Sequence, residues 1–184
     1  MKKIVSILVG LVCLFGAQLA KAQGIALRTN LVEWGLQAPN IGVDLVLSET
    51  STLSIGVAAT AGEMYIRDAF VQCGQVDYRY WFSAQTYENF FLGLQFTPPH
   101  YRLKLDKRDE FGKNRKHVHN GVAFPLGFNF GYSWPLNSKL NLEACYGAGW
   151  MFYNEECNYH PHETRHRMTF TTTNVGLNIT YILK

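Results

Sequence analysis

Four residues near the C-terminus have side chains that bind transition metals. The segment CNYHPHETRH holds one thiol and three imidazoles, at Cys157, His160, His162 and His166. Zinc and copper prefer thiolate and imidazole ligands, so we expect this segment to be the one candidate cofactor site. Because the spacing matches no standard metal motif, two other interpretations stay open: a plain hydrophilic loop, which we favour, and a pH sensor that gains charge below about pH 6.5.

A second set of residues has the chemistry of ion pairs or of a proton path. Two arginines and three acids lie on the polar side of alternating segments: Arg28, Asp44, Asp77, Arg79 and Glu143. Opposite charges pair when they share a narrow, poorly hydrated interior. A path for protons or a substrate is one interpretation, but we favour a structural network that fills the interior.

The positions of the possible nucleophiles argue against catalysis. The histidines fall in two predicted loops at one end of the molecule, and the serines of the mature chain fall near the opposite end. An apolar band about 25 Å tall would separate the two groups, which excludes a Ser–His pair. We therefore predict that the protein is not an enzyme. A lipid-modifying enzyme that uses Cys157 and a loop histidine remains the alternative.

Alternating segments must position these residues. In LNLEACYGAGWMFY, residues 140–153, large apolar side chains alternate with small or polar ones, which is the period of a β-strand. Turn signals divide the chain into eight such runs. The runs are residues 25–36, 41–47, 52–61, 71–82, 89–97, 121–134, 140–153 and 169–183. The fourth run changes phase near Gly74, which predicts a β-bulge.

The polar side of the runs indicates the environment of each face. It carries glycine, asparagine, threonine and the five charges, but no lysine, whereas the solvent face of a soluble sheet is rich in lysine and glutamate. The polar side therefore fits a crowded interior and the apolar side fits contact with lipid. We predict an all-β fold, an eight-stranded antiparallel up-and-down transmembrane β-barrel. An exported sandwich or lipocalin-like binding barrel, with its apolar side inward, is the alternative.

The ends of the runs agree with a membrane orientation. Aromatic residues, among them Trp81 and Trp134, gather near the run ends, as in the aromatic girdles of membrane barrels. Long connections at residues 62–70, 98–120 and 154–168 alternate with short ones. We expect both termini in the periplasm and the long loops outside the cell.

The N-terminal residues predict export. Residues 1–22 combine Lys2 and Lys3, an apolar run too short to span a bilayer, and the small-x-small signal Ala20-Lys21-Ala22, which is the pattern of a cleavable signal peptide. Residues 23–184 then form one domain. Of the 17 basic residues three lie in the signal peptide, so the mature chain carries 14 basic and 14 acidic side chains. This balance gives no pull toward nucleic acid.

Segments along nearly the whole mature chain resemble one family. They are ALRTNLVEWGLQAPNIGVDLVL, VDYRYWF, FFLGLQF, GFNFGYSWPLNSKLNLEACYGAGW and NVGLNITYILK. They are similar to the recurrent pattern of an uncharacterised family, a domain of unknown function, of small outer-membrane β-barrel proteins from Gram-negative anaerobes. Asp44 departs from the family's usual glutamate. The resemblance implies location in the outer membrane and no activity. Some relatives are encoded near fimbrial genes, which makes a fimbria-associated surface role conceivable.

Together these patterns predict a non-enzymatic outer-membrane protein with a structural or surface-interaction role. Its surface loops would contact a metal, a fimbrial component or lipopolysaccharide, the last through the six Lys and Arg between Lys104 and Lys116. The last strand, from Asn174 to Tyr181, resembles the signal read by barrel-insertion machinery. That machinery and outer-membrane lipid are therefore the general partners we expect.

Overall fold

The computed structural model of the chain describes residues 23–60, 69–108, 114–157 and 160–183. Within these ranges, side chains are described except at residues 69, 104–108, 114–117, 154–157 and 160–166. The predicted signal peptide, residues 1–22, lies outside the described residues, so its prediction stands as made.

The described chain is almost entirely β-structure. Its nine strands and one short helix are β1 Gly24–Asn30, α1 Leu31–Gly35, β2 Asn40–Ser48, β3 Ser51–Ala59, β4 Ala69–Trp81, β5 Asn89–Phe96, β6 Pro99–Arg108, β7 Asn114–Pro135, β8 Leu140–Cys157 and β9 His160–Ile182. Among the described residues, no helix is long and apolar enough to cross a membrane.

The nine strands form one antiparallel sheet that closes into a ring. Neighbours follow the order β3-β2-β1-β9-β8-β7-β5-β4, and β4 pairs again with β3. Gly24 and Ile182 lie at one end of the ring, which we call the terminal end, and α1 lies at the other, the far end. Closure leaves no open sheet edge along the body of the ring.

The predicted count of eight strands is corrected to nine. The fifth run ends where Pro98 and Pro99 interrupt the chain, because a proline has no N–H group to donate to a strand ladder. The chain then continues as β6, which pairs with β4 and β7 just as β5 does. β5 and β6 therefore follow one another in the same gap between β4 and β7.

Two of the predicted long loops are largely β-hairpins. Most of residues 98–120 belongs to β6 and β7, which pair from His100↔Val122 to Arg108↔Asn114. Residues 154–168 belong mostly to β8 and β9. These strands were not predicted from the sequence because their residues are mostly polar and lack the apolar alternation from which the other strands were predicted. Backbone pairing with a neighbouring strand does not require apolar side chains. The third predicted loop, residues 62–70, lies mainly outside the described residues.

The two faces of the strands are oriented as the sequence predicts. On β7, Phe124, Leu126, Phe128 and Phe130 point outward and are exposed, whereas Asn129 is fully buried inside the ring. The same division holds on β5 and β8, and on β2 apart from Leu45, which has the outward parity but is 2% exposed. The ring is therefore apolar outside and polar inside.

The predicted bulge near Gly74 is wrong. β3 and β4 pair continuously from Ser51↔Tyr80 to Ala59↔Gln72, so Gly74 stays in register opposite Val57. A register shift instead occurs between β8 and β9: Gly147 pairs with Asn174 and Ala148 pairs with Thr172, so Thr173 is an extra residue in β9. The apparent change of phase in β4 has another cause, since Cys73, next to Gly74, is an apolar residue on the inward face.

Three aromatic side chains fill the interior at the terminal end. Trp81 was predicted to lie in an outer girdle, but its exposure is 0%. Its ring centroid lies 4.9 Å from that of Phe91 and 5.4 Å from that of Tyr87. The turn of residues 82–88 places Tyr87 inside the ring, and the Tyr87 carbonyl accepts hydrogen bonds from Ser133 Oγ at 2.7 Å and Asn141 Nδ2 at 2.8 Å. Trp81, Tyr87 and Phe91 together form what we call the aromatic plug.

Candidate functional site

The structure brings together all five charged residues of the predicted interior network. Arg28 Nε lies 3.2 Å from Asp44 Oδ1, and Arg28 Nη1 lies 4.0 Å from Asp77 Oδ2. Arg79 Nε is 2.6 Å from Asp77 Oδ2, and Arg79 Nη1 is 2.8 Å from Glu143 Oε2. The result is one connected chain of charges, from Asp44 to Glu143, across the centre of the ring. We call these five residues the charged network.

Strand register explains why these residues meet. Asp44, Ser54 and Asp77 lie opposite one another on β2, β3 and β4. Paired residues on neighbouring strands project to the same side of a sheet. The side chains of these three residues therefore form one row that faces the centre of the ring. Gly93 makes room for the neighbouring arginine: a Cβ atom there would lie 3.0 Å from Asp77 Oδ1 and 3.2 Å from Arg79 Cγ.

Amide and aromatic side chains complete the charged network. Asn129 Nδ2 donates to Asp77 Oδ2 at 2.9 Å, and Asn178 Nδ2 donates to Glu143 Oε1 at 2.6 Å. The Arg79 guanidinium lies over the Phe91 ring, 4.8 Å from its centroid, which joins the charged network to the aromatic plug. Sequence reasoning did not single out these partners. The only sequence feature that could have indicated them is their position on the inward side of an alternating strand.

The five members of the charged network are buried inside the ring. Asp77 and Glu143 accept hydrogen bonds from guanidinium and amide groups, and Asp44 is held by its ion pair with Arg28. Each member of the network is at most 6% exposed. A general acid or base must reach a proton on its substrate. Ser54, which was predicted to lie near the rim, is also fully buried here. Cys145 is buried beside the charged network, with its Sγ 3.4 Å from Asn178 Nδ2.

A cavity of about 220 Å³ lies between the charged network and the far end. Its lining includes Glu33 of α1, Cys73 of β4, Gln95 of β5, Met151 of β8 and Thr173 of β9. Sequence reasoning did not identify this cavity. Six strands and α1 contribute to its lining, and no short sequence motif contains residues from so many elements.

Glu33 lies at the α1 side of this cavity. Its Oε1 accepts a hydrogen bond from Asn30 Nδ2 at 3.1 Å. Burial raises the pKa of the Glu33 carboxyl, although the Asn30 hydrogen bond and the positive charge of Arg28 oppose the rise. Asn30 also caps α1, since its Oδ1 accepts from Val32 N at 3.0 Å. The end of β1 thereby fixes the position of this carboxyl group.

The side chains of the predicted metal site lie outside the described residues. For Cys157, His160, His162 and His166 the structure gives strand assignment only, with Cys157 opposite His160 in the β8–β9 hairpin. His119 of β7 lies opposite Cys157 in register. Among the described side chains, no group of three or more His, Cys, Asp or Glu is arranged to hold a metal ion. The metal prediction therefore remains a prediction.

Comparisons with known proteins identify the family of the chain. The model of the family named protein of unknown function (DUF3575) matches residues 7–183. No curated protein and no solved structure matches the chain.

Proposed function

The chain belongs to the DUF3575 family of proteins of unknown function, and we propose that it is an outer-membrane β-barrel with a structural or surface-interaction role. The proposal rests on the chemistry of the two faces of the ring. Its non-enzymatic character and its location are part of the same proposal.

The observation that carries the proposal is the inverted distribution of side chains. Leu126, Val57 and Phe170 are 56%, 61% and 62% exposed, whereas Asp77 and Arg79 are 0% exposed. A protein dissolved in water gains stability by the opposite arrangement. Apolar patches of this extent normally meet another apolar phase. Because the apolar side chains surround the ring, lipid is the phase that fits them.

The height of the apolar surface fits a bilayer. Trp134 and Phe124 lie on the outer face of β7, ten residues apart. At about 3.4 Å per residue this separation is roughly 34 Å along the strand, and a strand tilt of about 40° reduces it to roughly 26 Å across the membrane. Outer-membrane barrels have an apolar band about 25 Å tall.

The interior favours a structural role over conduction. The charged network crosses the middle of the ring and the aromatic plug lies inside its terminal end, so side chains obstruct the interior at two levels. Small barrels in general have interiors that side chains fill. A closed interior leaves the far end as the surface for partners.

The far-end hairpins support a role in surface interaction. β6 and β7 pair as far as Arg108 and Asn114, and β8 and β9 as far as Cys157 and His160, so both hairpins extend beyond the body of the ring. The segment from Lys104 to Lys116 contains six Lys and Arg, which suits the phosphate groups of lipopolysaccharide. A fimbrial component is the protein partner that the family resemblance suggests.

Cell fractionation tests the proposal. We expect the mature protein in the outer-membrane pellet after alkaline extraction, with external trypsin cutting only at far-end segments such as the Lys-rich hairpin and the β8–β9 hairpin, which carries Arg165 and Arg167. Phe128→Arg, which puts a charge at mid-height of the outer face, should abolish membrane assembly, because an arginine at the bilayer midplane costs about 2–4 kcal/mol. The matched control Glu49→Arg, in an exposed turn, should assemble normally. Wild-type protein in the soluble periplasmic fraction would overturn the proposal.

Metal capture by the far-end hairpin is a second candidate function. The strand register supports it, because the backbone of Cys157 lies opposite both His119 and His160. We expect zinc or copper to change the fluorescence of the protein, and His160→Ala with His162→Ala to abolish the change. His100→Ala, opposite Val122 in β6, is the control. Absence of any change on titration would end this candidate.

The alternatives differ from the proposal in ways that experiments can detect. A soluble lipocalin-like barrel would be monomeric without detergent, and it would need its apolar face turned inward. A lipid-modifying enzyme would release fatty acid or transfer an acyl chain in vesicles, and Cys157→Ser would stop it. We propose neither, because no described residue pattern favours them.

A further inference from the structure

Two residues that line the cavity beside Glu33 have side-chain oxygens without a hydrogen-bond partner. Gln95 is 1% exposed, and its Nε2 donates to the Thr173 carbonyl at 3.3 Å, yet its Oε1 has no hydrogen-bond partner. Thr173 Oγ1 is also buried without a partner. A buried polar atom left without a partner is destabilising, so two of them in residues that line one cavity suggest that a ligand completes the site.

The two unpaired oxygens lie near each other. A Cβ atom built on Gly147 would lie 2.9 Å from Gln95 Oε1 and 3.0 Å from Thr173 Oγ1, so the two oxygens are no more than about 5.9 Å apart, the sum of the two distances. Both residues line the cavity. One donor group placed between two oxygens at such a separation can donate a hydrogen bond to each.

The electrostatics of the cavity favour a positive ligand. Glu33 contributes a carboxyl group to its lining, and the described lining residues include no lysine or arginine. Gln95 Oε1 can only accept a hydrogen bond. A ligand that is both a cation and a hydrogen-bond donor satisfies all of these features.

The size of the cavity limits the ligand further. A volume of about 220 Å³ is below the roughly 300–1,000 Å³ of sites for drug-sized molecules. Met151 and the Pro99 ring add apolar lining beside the polar groups. A short alkyl chain with one charged end fits this combination.

We propose that this cavity binds a small organic cation through its primary ammonium group, with Gln95 Oε1 and Thr173 Oγ1 accepting hydrogen bonds from the ammonium and Glu33 providing the opposite charge. The site is an additional function of the barrel. It does not depend on surface interaction or on metal capture at the far end.

A titration followed by methyl NMR tests the proposal. The protein is labelled with ¹³C at its methionine methyl groups, folded in micelles and held in phosphate buffer, which contains no amine. Propylammonium chloride, propan-1-ol and sodium propionate are added in parallel. A ligand of four non-hydrogen atoms binds no tighter than about 0.05 mM, so the titration extends well into the millimolar range.

Two methionines serve as probe and internal control. Met151 lines the cavity, whereas Met168 lies on the outer face with an exposure of 62%. We expect propylammonium to shift the Met151 methyl signal in a saturable way and to leave Met168 unmoved. Propan-1-ol should bind at least tenfold more weakly, and propionate should cause no saturable shift. Equal shifts with all three compounds, or none with propylammonium, would overturn the proposal.

Variants connect the effect to the named atoms. Gln95→Leu and Thr173→Val each remove one acceptor and should weaken propylammonium binding at least tenfold. The control is Gln72→Leu on the exposed face of β4, which should bind as the wild type does. If Gln95→Leu does not fold, Glu33→Gln replaces it and should weaken binding severalfold. Wild-type affinity in a folded Gln95→Leu or Glu33→Gln variant would contradict the proposal.

Discussion

Asp77 lies between two arginines in the centre of the ring, and this arrangement explains why so many charges are tolerated there. Its Oδ2 lies 2.6 Å from Arg79 Nε, 2.9 Å from Asn129 Nδ2 and 4.0 Å from Arg28 Nη1. Burying an ion is costly unless partners replace its water. Each buried charge of the network is compensated by the others. Removing any one of them leaves a partner uncompensated, so we expect single substitutions in the network to lower the free energy of unfolding strongly.

Glu143→Ala tests this mutual dependence. The substitution leaves the fully buried Arg79 with one carboxylate instead of two, and it removes the acceptor for Asn178 Nδ2. We expect the free energy of unfolding to fall by about 3–5 kcal/mol, measured by urea unfolding in micelles. Glu49→Ala, in the exposed turn between β2 and β3, should change it by less than about 0.5 kcal/mol. Equal unfolding midpoints for the two variants would contradict the account.

Glu33 makes ligand binding depend on pH. Burial raises the pKa of its carboxyl above the ordinary value of 4.5, so the group is neutral in acid and gains its charge only above that raised pKa. The groups that face it are Arg28, Asn30 and Cys73. The affinity for propylammonium should therefore increase as the pH rises through the Glu33 pKa.

The same NMR titration at several pH values measures this dependence. In Glu33→Gln the affinity should be lower and independent of pH over that range. A wild-type affinity that stays constant from acid to neutral pH would show that the Glu33 charge does not act on the ligand.

At the scale of elements, the turn of residues 82–88 differs most from expectation. Sequence alternation predicts the strands on either side of it, and Trp81 at a strand end resembles a girdle residue. What the alternation cannot predict is the inward bend, which depends on the positive φ of 66° at Tyr87 and on hydrogen bonds from Ser133 and Asn141. These donors come from distant strands. Local residue patterns contain no signal for them.

Trp81→Ala tests the aromatic plug. The indole is fully buried between Tyr87 and Phe91, and its Nε1 donates to Thr52 Oγ1 at 3.1 Å. Its removal leaves a cavity, and we expect a loss of about 3–5 kcal/mol in the free energy of unfolding. Trp134→Ala is the matched control, because lipid or detergent can fill the space left on the outer face. A loss for Trp134→Ala as large as that for Trp81→Ala would contradict the assignment of inner and outer aromatics.

Strand boundaries at the far end show a second limit of sequence reasoning. The alternation of apolar and polar residues ends near Gly121 and Tyr153, and the predicted strands end there too. The observed strands continue to Asn114 and Cys157. Alternation of apolar and polar residues shows where one face of a strand contacts an apolar environment. It does not show where hydrogen bonding between strands ends. The end of the alternation therefore marks the upper limit of the proposed lipid contact, while β-pairing continues beyond it.

At the scale of the whole molecule, the sequence predicted the architecture better than the sites. The all-β class, the inward and outward faces and the five charges that meet inside all follow from a period of two residues. The cavity beside Glu33 does not, because its lining comes from residues far apart in the chain, such as Glu33, Gln95 and Thr173. The inward and outward faces of a strand follow from the alternation within that strand alone. A cavity depends on how side chains from several strands are placed relative to one another, which local alternation does not predict.

The central claim is that the outer face of the ring contacts hydrocarbon, and tryptophan quenching by brominated lipid tests it most directly. One variant carries Phe128→Trp with the native tryptophans replaced by phenylalanine, and another keeps only Trp81. Both are folded into vesicles whose acyl chains carry bromine at mid-chain. We predict strong quenching of the tryptophan at position 128 and weak quenching of the buried Trp81. Equal, weak quenching of both, with the protein recovered as a water-soluble monomer, would contradict the account.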